Sequence, residues 1–186
     1  MQVTIVVAGL VAVLLALSRG GSFDSLARTK LRMGSLVIAG LILQVLFDIW
    51  APEWLTAGWA LSIVLASNAL IFAFVLLNRR TPGMPAIGLG VLLNVIVISA
   101  NGAMPVSTDA IRVAEVTSAP NEESLKHEVL GPHTRLPWLG DVLPLPRLKE
   151  ILSIGDVALL VGIGLLIYGR MVDREVEARA IQSRTA

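Results

Sequence analysis

Apolar residues fall in five blocks separated by short polar or basic stretches. A helix rises about 1.5 Å per residue, so crossing a hydrocarbon core of about 30 Å takes about 20 mostly apolar residues. The blocks at 1–17, 34–50, 56–77, 85–101 and 151–169 meet that requirement or approach it. The shorter ones can be accommodated by snorkelling flanks or a locally thinner bilayer. The pattern predicts an all-α, polytopic transmembrane bundle of five helices forming a single membrane domain. One long extracytoplasmic loop, 102–150, contains short helices, and a tail follows at 170–186.

Composition narrows the class. The 186 residues are 55% hydrophobic and 16% charged, where soluble domains carry about 25% charge. A mean hydropathy of +0.76 argues against an ordinary soluble enzyme and against disorder, which needs low hydrophobicity and high net charge. The net charge of +1 shows no basic surplus for nucleic acid, and with no cysteine, thiol catalysis and Cys-ligated metals are excluded.

Lysine and arginine set the expected orientation, because short loops rich in them stay in the cytoplasm. Arg19, Arg28, Lys30 and Arg32 follow the first block, Arg79 and Arg80 follow the third, and Arg170, Arg174, Arg179 and Arg184 follow the fifth. The turn at 51–55 has none, and loop 102–150 holds five among seven acids. Five spans then put the N-terminus outside and the C-terminus in the cytoplasm. Block 1–17 lacks the basic start of a cleaved signal and carries Ala8, Ala12 and Ala16 at helical spacing, so it reads as a retained helix. Trp50, Trp54 and Trp59 bracket the outer turn, and Tyr168 marks the inner end of the fifth helix.

Lipid tails are as apolar as leucine, so membrane helices associate through close contact and polar bonds. Gly155, Gly162 and Gly169 recur every seven residues, with Ala158 on the same stripe. They predict a packing groove within the bundle, with a homodimer face as the alternative. Polar residues inside a membrane are costly and each raises a functional question. Gln44 and Asp48 share one face of the second helix, and Asn94 and Asn101 one face of the fourth. Asp156 is placed up to two turns below the outer end of the fifth. These groups gather in the outer half, above a nearly aliphatic inner half. That distribution suggests an outward-facing pocket with Asn94, Asn101, Gln44 and Asp156 as binding candidates. Asp156, Asp48 and Asp141 are the candidate catalytic carboxyls, with structural hydrogen bonding as the competing role.

The loop divides in two. Ser107 or Thr108 can cap a helix over 109–116, and Asn121 one over 122–130, with Gly131 as its stop. The stretch 136–146 is apolar, proline-rich and carries Trp138, which suits the outer interface or a fold back over the bundle rather than a regular helix. His127 and His133 have no ligand spacing, so no metal and no cofactor is expected. Phosphate-binding and zinc-protease motifs are absent.

Three segments taken in order resemble a family of small bacterial membrane proteins known only as a domain of unknown function. They are Asn101-Gly102-Ala103-Met104-Pro105-Val106, Gly140 to Pro146, and Ser153-Ile154-Gly155-Asp156-Val157. The resemblance covers most of the chain and implies a bacterial inner-membrane protein, without an activity. Asn94 and Ser153-Ile154-Gly155-Asp156 also resemble, in part, the last two helices of lipoprotein signal peptidases. That resemblance implies a water-activating aspartate pair. The chain departs from the pattern, with Val97 where the first aspartate belongs and Ser153 in place of an asparagine. Three functions stay open. One is a non-enzymatic accessory or scaffold meeting lipid, a membrane-protein partner or a second copy. Another is an aspartate-dependent hydrolase at the outer leaflet, and the third is a small transporter or channel subunit.

Overall fold

The computed structural model describes residues 2–49, 56–116 and 125–173. Five apolar helices form its body: α1 (Gln2–Ser18), α3 (Gly34–Ile49), α4 (Ala57–Leu77), α5 (Met84–Asn101) and α7 (Ile154–Met171). Of these, α4, α5 and α7 are long and apolar enough to cross a membrane, and α1 and α3 are shorter apolar helices. A short helix, α2 (Phe23–Ala27), follows α1.

The helices pack side by side in the order α3, α4, α5, α7, α1. Neighbours α3, α4, α5 and α7 alternate in direction. Phe47 meets Ala60 at one end of α3 and α4, while Leu36 and Val37 meet Phe74 and Val75 at the other. Helix α1 runs parallel to α7: the Val3 and Thr4 N–H groups meet Glu150, just before α7 begins, and at the other end the Ser22 N–H donates to the Met171 carbonyl at 2.9 Å, with Ala12 facing Gly164 between them. The main core lies between α4 and α5, on Phe74, Val75, Met84, Ile87 and Val91. The outer faces stay apolar, including Val6, Leu10, Leu14 and Leu17 on α1.

Glycines set the approach of α5 to α7. A Cβ on Gly90 would fall 2.5 Å from the Gly155 carbonyl, and one on Gly162 would fall 2.6 Å from the Ile87 nitrogen. A Cβ on Gly169 would meet the Pro82 ring. The seven-residue glycine stripe therefore packs within the chain, against α5 and the turn before it. Gly83, at φ 82°, starts α5 in a left-handed conformation that a side chain would strain.

The described parts of 102–153 gather at the end where α5 finishes and α7 begins. They hold β1 (Met104–Val106), α6 (Thr108–Ala114), β2 (His127–Val129), β3 (Leu143–Leu145) and β4 (Glu150–Leu152). Strands β1 and β2 pair in parallel, and β3 and β4 antiparallel. Ser107 caps α6, its Oγ accepting the Ala110 N–H.

The structure corrects three expectations. The chain is mostly helical rather than all-α, because Met104-Pro105-Val106 and Leu143-Pro144-Leu145 find strand partners that sequence spacing does not reveal. Residues 127–129 are extended, not the end of a helix from 122; the proposed cap Asn121 lies outside the described residues. The fifth helix starts at Ile154 rather than 151, since Glu150–Leu152 is a strand. That start puts Asp156 in the first turn of α7.

Candidate functional site at the loop end of the bundle

The start of α7 is built on a closed ring of hydrogen bonds. Ser153 is the N-cap, and its Oγ accepts the Asp156 N–H at 2.9 Å. The Asp156 Oδ2 accepts the Ser153 N–H at 3.0 Å, completing a capping box that satisfies two of the helix's free donors. Asn94 on α5 closes the ring: its Nδ2 donates to Asp156 Oδ1 at 3.0 Å, and its Oδ1 accepts from Ser153 Oγ at 3.0 Å. Gly155 makes room for this, because a Cβ there would collide with the Asn94 amide. Ser153 and Asp156 are buried.

Asp141 lies above the ring on the loop. Its backbone N–H donates to the Pro105 carbonyl at 2.8 Å and its carbonyl accepts the Ser107 N–H at 3.0 Å, tying 136–146 to β1 and α6. Its side chain is buried, and Oδ1 has no hydrogen-bond partner among the described residues. His127 Nε2 stands 4.0 Å from Oδ2. Burial, reinforced by the nearby carboxyl of Asp156, raises the Asp141 pKa to about 7.

The other sequence candidates do not join this group. Asn101 clasps the backbone of Arg135, its Nδ2 donating to the Arg135 carbonyl at 2.9 Å and its Oδ1 accepting the Arg135 N–H at 2.7 Å. Gln44 bonds Ser67 between α3 and α4, at 3.2 Å. The side chain of Asp48 lies outside the described residues. The expected outer pocket therefore resolves into separate interhelical and helix-to-loop bonds. Only Asn94, Ser153 and Asp156 form one network, with Asp141 and His127 alongside. Among the described residues no three acidic or histidine side chains group as metal ligands.

Two clasps escaped sequence reasoning. Glu150 on β4 caps the start of α1: its Oε1 accepts the Val3 N–H at 2.8 Å, and its Oε2 accepts the Thr4 N–H at 3.0 Å and the Thr4 hydroxyl. At the opposite end of the bundle, Asn78 clasps Arg32, accepting its N–H at 2.8 Å and donating to its carbonyl at 2.9 Å. That end therefore carries a buried polar layer with Asn78 and Thr81, where the sequence suggests a nearly aliphatic half. An asparagine at a helix C-terminus was the available signal for Asn78. Glu150 had none, since its partner is 146 residues away.

A family model matches residues 28–168, most of the chain and all of this network except α1's contribution. The chain belongs to DUF5317, a family of unknown function. No curated protein and no solved structure matches it.

Proposed function

We propose that this chain is a multi-pass protein of the bacterial inner membrane that works as a non-enzymatic accessory or scaffold. In this reading α1, α3, α4, α5 and α7 all cross the bilayer. The N-terminus and loop 102–150 lie outside, and the C-terminus is cytoplasmic. Support for the orientation comes from Arg19, Arg28, Lys30, Arg32, Arg79, Arg80 and Arg170, which lie at the helix ends away from the loop. The loop's strands and α6 then offer an outward surface for a membrane-protein partner.

The observation that carries the scaffold reading is the closed Ser153–Asp156–Asn94 ring. Both oxygens of the most distinctive carboxyl accept hydrogen bonds within the chain. Such a group orders α5, α7 and the loop. The native chain has no cysteine, so single Arg80→Cys and Arg147→Cys variants test the topology by labelling with an impermeant maleimide. Labelling of intact spheroplasts at Arg147→Cys alone is expected; labelling at Arg80→Cys alone reverses the orientation. Function is tested by complementing a deletion strain. Asp156→Asn and Asp141→Asn are expected to restore the wild-type phenotype.

A second reading rests on Asp141. Its pKa, raised to about 7 by burial and then by the charge of Asp156, is that of a carboxyl able to hold a proton near neutrality, as a general acid requires. Under an aspartate-dependent hydrolase, both variants would be expressed at normal level and fail to complement.

A further inference from the structure

Residues 135–149 of the loop are only partly explained by internal packing. The 3-10 turn Pro137–Leu139 places Leu139 in the apolar cluster of Val97 and Met104 at the end of α5. Its neighbours face outward instead: Trp138 is 56% exposed, and Leu136 and Leu143 are also exposed. Leu136 takes a left-handed backbone at φ 52°, a conformation that strains a leucine. The same segment carries Arg135, Arg147 and Lys149, all exposed, and its single acid, Asp141, is buried.

Height along the bundle connects these features. Arg135 is bonded through its backbone to Asn101, the last residue of α5. Leu143 pairs with Leu152, the residue just before the α7 cap. The exposed apolar residues thus sit level with the helix ends. They lie just beyond the apolar outer faces of α5 (Leu89, Leu92, Ile96) and α7 (Ile154, Val157, Val161). Aromatic residues with flanking cations at that level are placed for the boundary between acyl chains and headgroups.

We propose that residues 135–149 are an interfacial anchor that lays Leu136, Trp138 and Leu143 into the outer leaflet. Arg135, Arg147 and Lys149 then meet lipid phosphates. The partner is the bilayer surface around the protein's own helices, so the inference rests on the membrane reading above. The anchor holds the loop close to the membrane plane and directs its other face, with α6 and β2, away from the lipid.

The test is fluorescence of the full chain in phosphatidylcholine–phosphatidylglycerol vesicles, with Trp50, Trp54 and Trp59 changed to Phe so that Trp138 reports alone. Lipids brominated high on the acyl chain are expected to quench Trp138, and aqueous iodide to quench it weakly. Efficient iodide quenching without bromolipid quenching overturns the anchor. A parallel variant removes Trp138 too and carries Leu165→Trp on the exposed face of α7. If deep bromolipids quench that variant while iodide alone quenches Trp138, the anchor is wrong and the membrane reading stands. If iodide quenches both, the membrane reading fails and the anchor with it. Should the triple substitution disturb folding, the difference between wild type and Trp138→Phe gives the same comparison.

Discussion

Asn94 and Asp156, 62 positions apart, are joined by a 3.0 Å hydrogen bond that ties the middle of α5 to the first turn of α7. The bond belongs to a ring in which Ser153 and Asn94 each act as donor and acceptor. Asp156→Ala leaves the Ser153 N–H and the Asn94 amide without partners. An unsatisfied buried donor costs about 1–3 kcal/mol, so Asp156→Ala should destabilise the chain by about 2–4 kcal/mol. Asp156→Asn keeps one acceptor but turns an N–H₂ toward a donor, and should fall between wild type and alanine. Thermal unfolding in detergent, followed by circular dichroism, checks the order. Equal midpoints for all three would show that the ring contributes nothing.

The α5–α7 contact makes a second, steric prediction. Gly90→Ala sets a methyl 2.5 Å from the Gly155 carbonyl, so the helices must separate or shift, at a cost of about 1–3 kcal/mol as in other overpacked contacts. Gly164→Ala is the control, because its Cβ would lie 3.9 Å from Ala12, an ordinary contact. There the helix gains by losing a glycine, by up to about 1 kcal/mol. Opposite shifts in unfolding midpoint are expected, and a tolerated Gly90→Ala would contradict the packing.

Much of this arrangement was legible in the chain. The apolar blocks marked the helices within a few residues, and the heptad of Gly155, Gly162 and Gly169 marked the buried face of α7, because both signals are local. Asp156 stood out, and the start of α7 fixes its depth. Capping geometry rather than hydropathy decides where α7 begins, and Ser153 draws that line. The ribbons of the loop depend on pairs such as Met104 with His127 and Leu143 with Leu152, which no periodicity encodes. Asn94 and Asp156 were placed together as candidates; Gln44 and Asn101 shared their half of the bilayer but found closer partners elsewhere.

The loop should respond to pH through Asp141. Its pKa rises from 3.8 to about 7 on folding, through burial and then the charge of Asp156. The folded chain therefore holds a proton that the unfolded chain releases, and stability falls as pH rises from about 4 to 7, then levels off. The full shift corresponds to at most about 4 kcal/mol. Asp141→Asn removes the charge and should flatten this part of the profile and raise the unfolding midpoint at pH 8. Measuring both chains with His127→Gln as well separates the neighbouring imidazole. A wild-type midpoint that climbs from pH 4 to 7 would contradict the assignment.

Glu150 predicts the opposite slope. Burial alone would raise its pKa, but the N-terminal amine, then the Thr4 hydroxyl and the Val3 and Thr4 N–H groups, outweigh it and bring it to about 2. The stabilisation is present above the ordinary value of 4.5 and disappears as pH falls toward 2. Glu150→Ala should therefore matter at pH 7 and cease to matter near pH 2. Its effect should centre on α1, whose first turn loses the acceptors that Glu150 supplies to Val3 and Thr4. Hydrogen exchange at Val3 and Thr4, compared between the two chains at pH 7, reads this directly. Unchanged protection would show that the clasp does not form.

Asn78 and Asn101 repeat one device at opposite ends of the bundle. Each stands at a helix C-terminus, donates to the carbonyl four residues back, and clasps the backbone of a distant arginine by both its N–H and its carbonyl. The i−4 bond fixes the side chain, so the paired bonds reach Arg32 or Arg135 with little further entropy to lose. Removing either asparagine should free one remote strand of backbone and leave the helix intact. Asn101→Ala should increase hydrogen exchange at the Arg135 amide, and Asn78→Ala at the Arg32 amide, with no crossover between the ends. Asn78 is buried, so its loss should also lower stability by about 1–3 kcal/mol, more than the loss of the half-buried Asn101. Aspartate at either site keeps an acceptor but no donor, and should restore protection of the arginine N–H only in part. Exchange that rises equally at both ends in either variant would mean that the clasps report global unfolding rather than local anchoring.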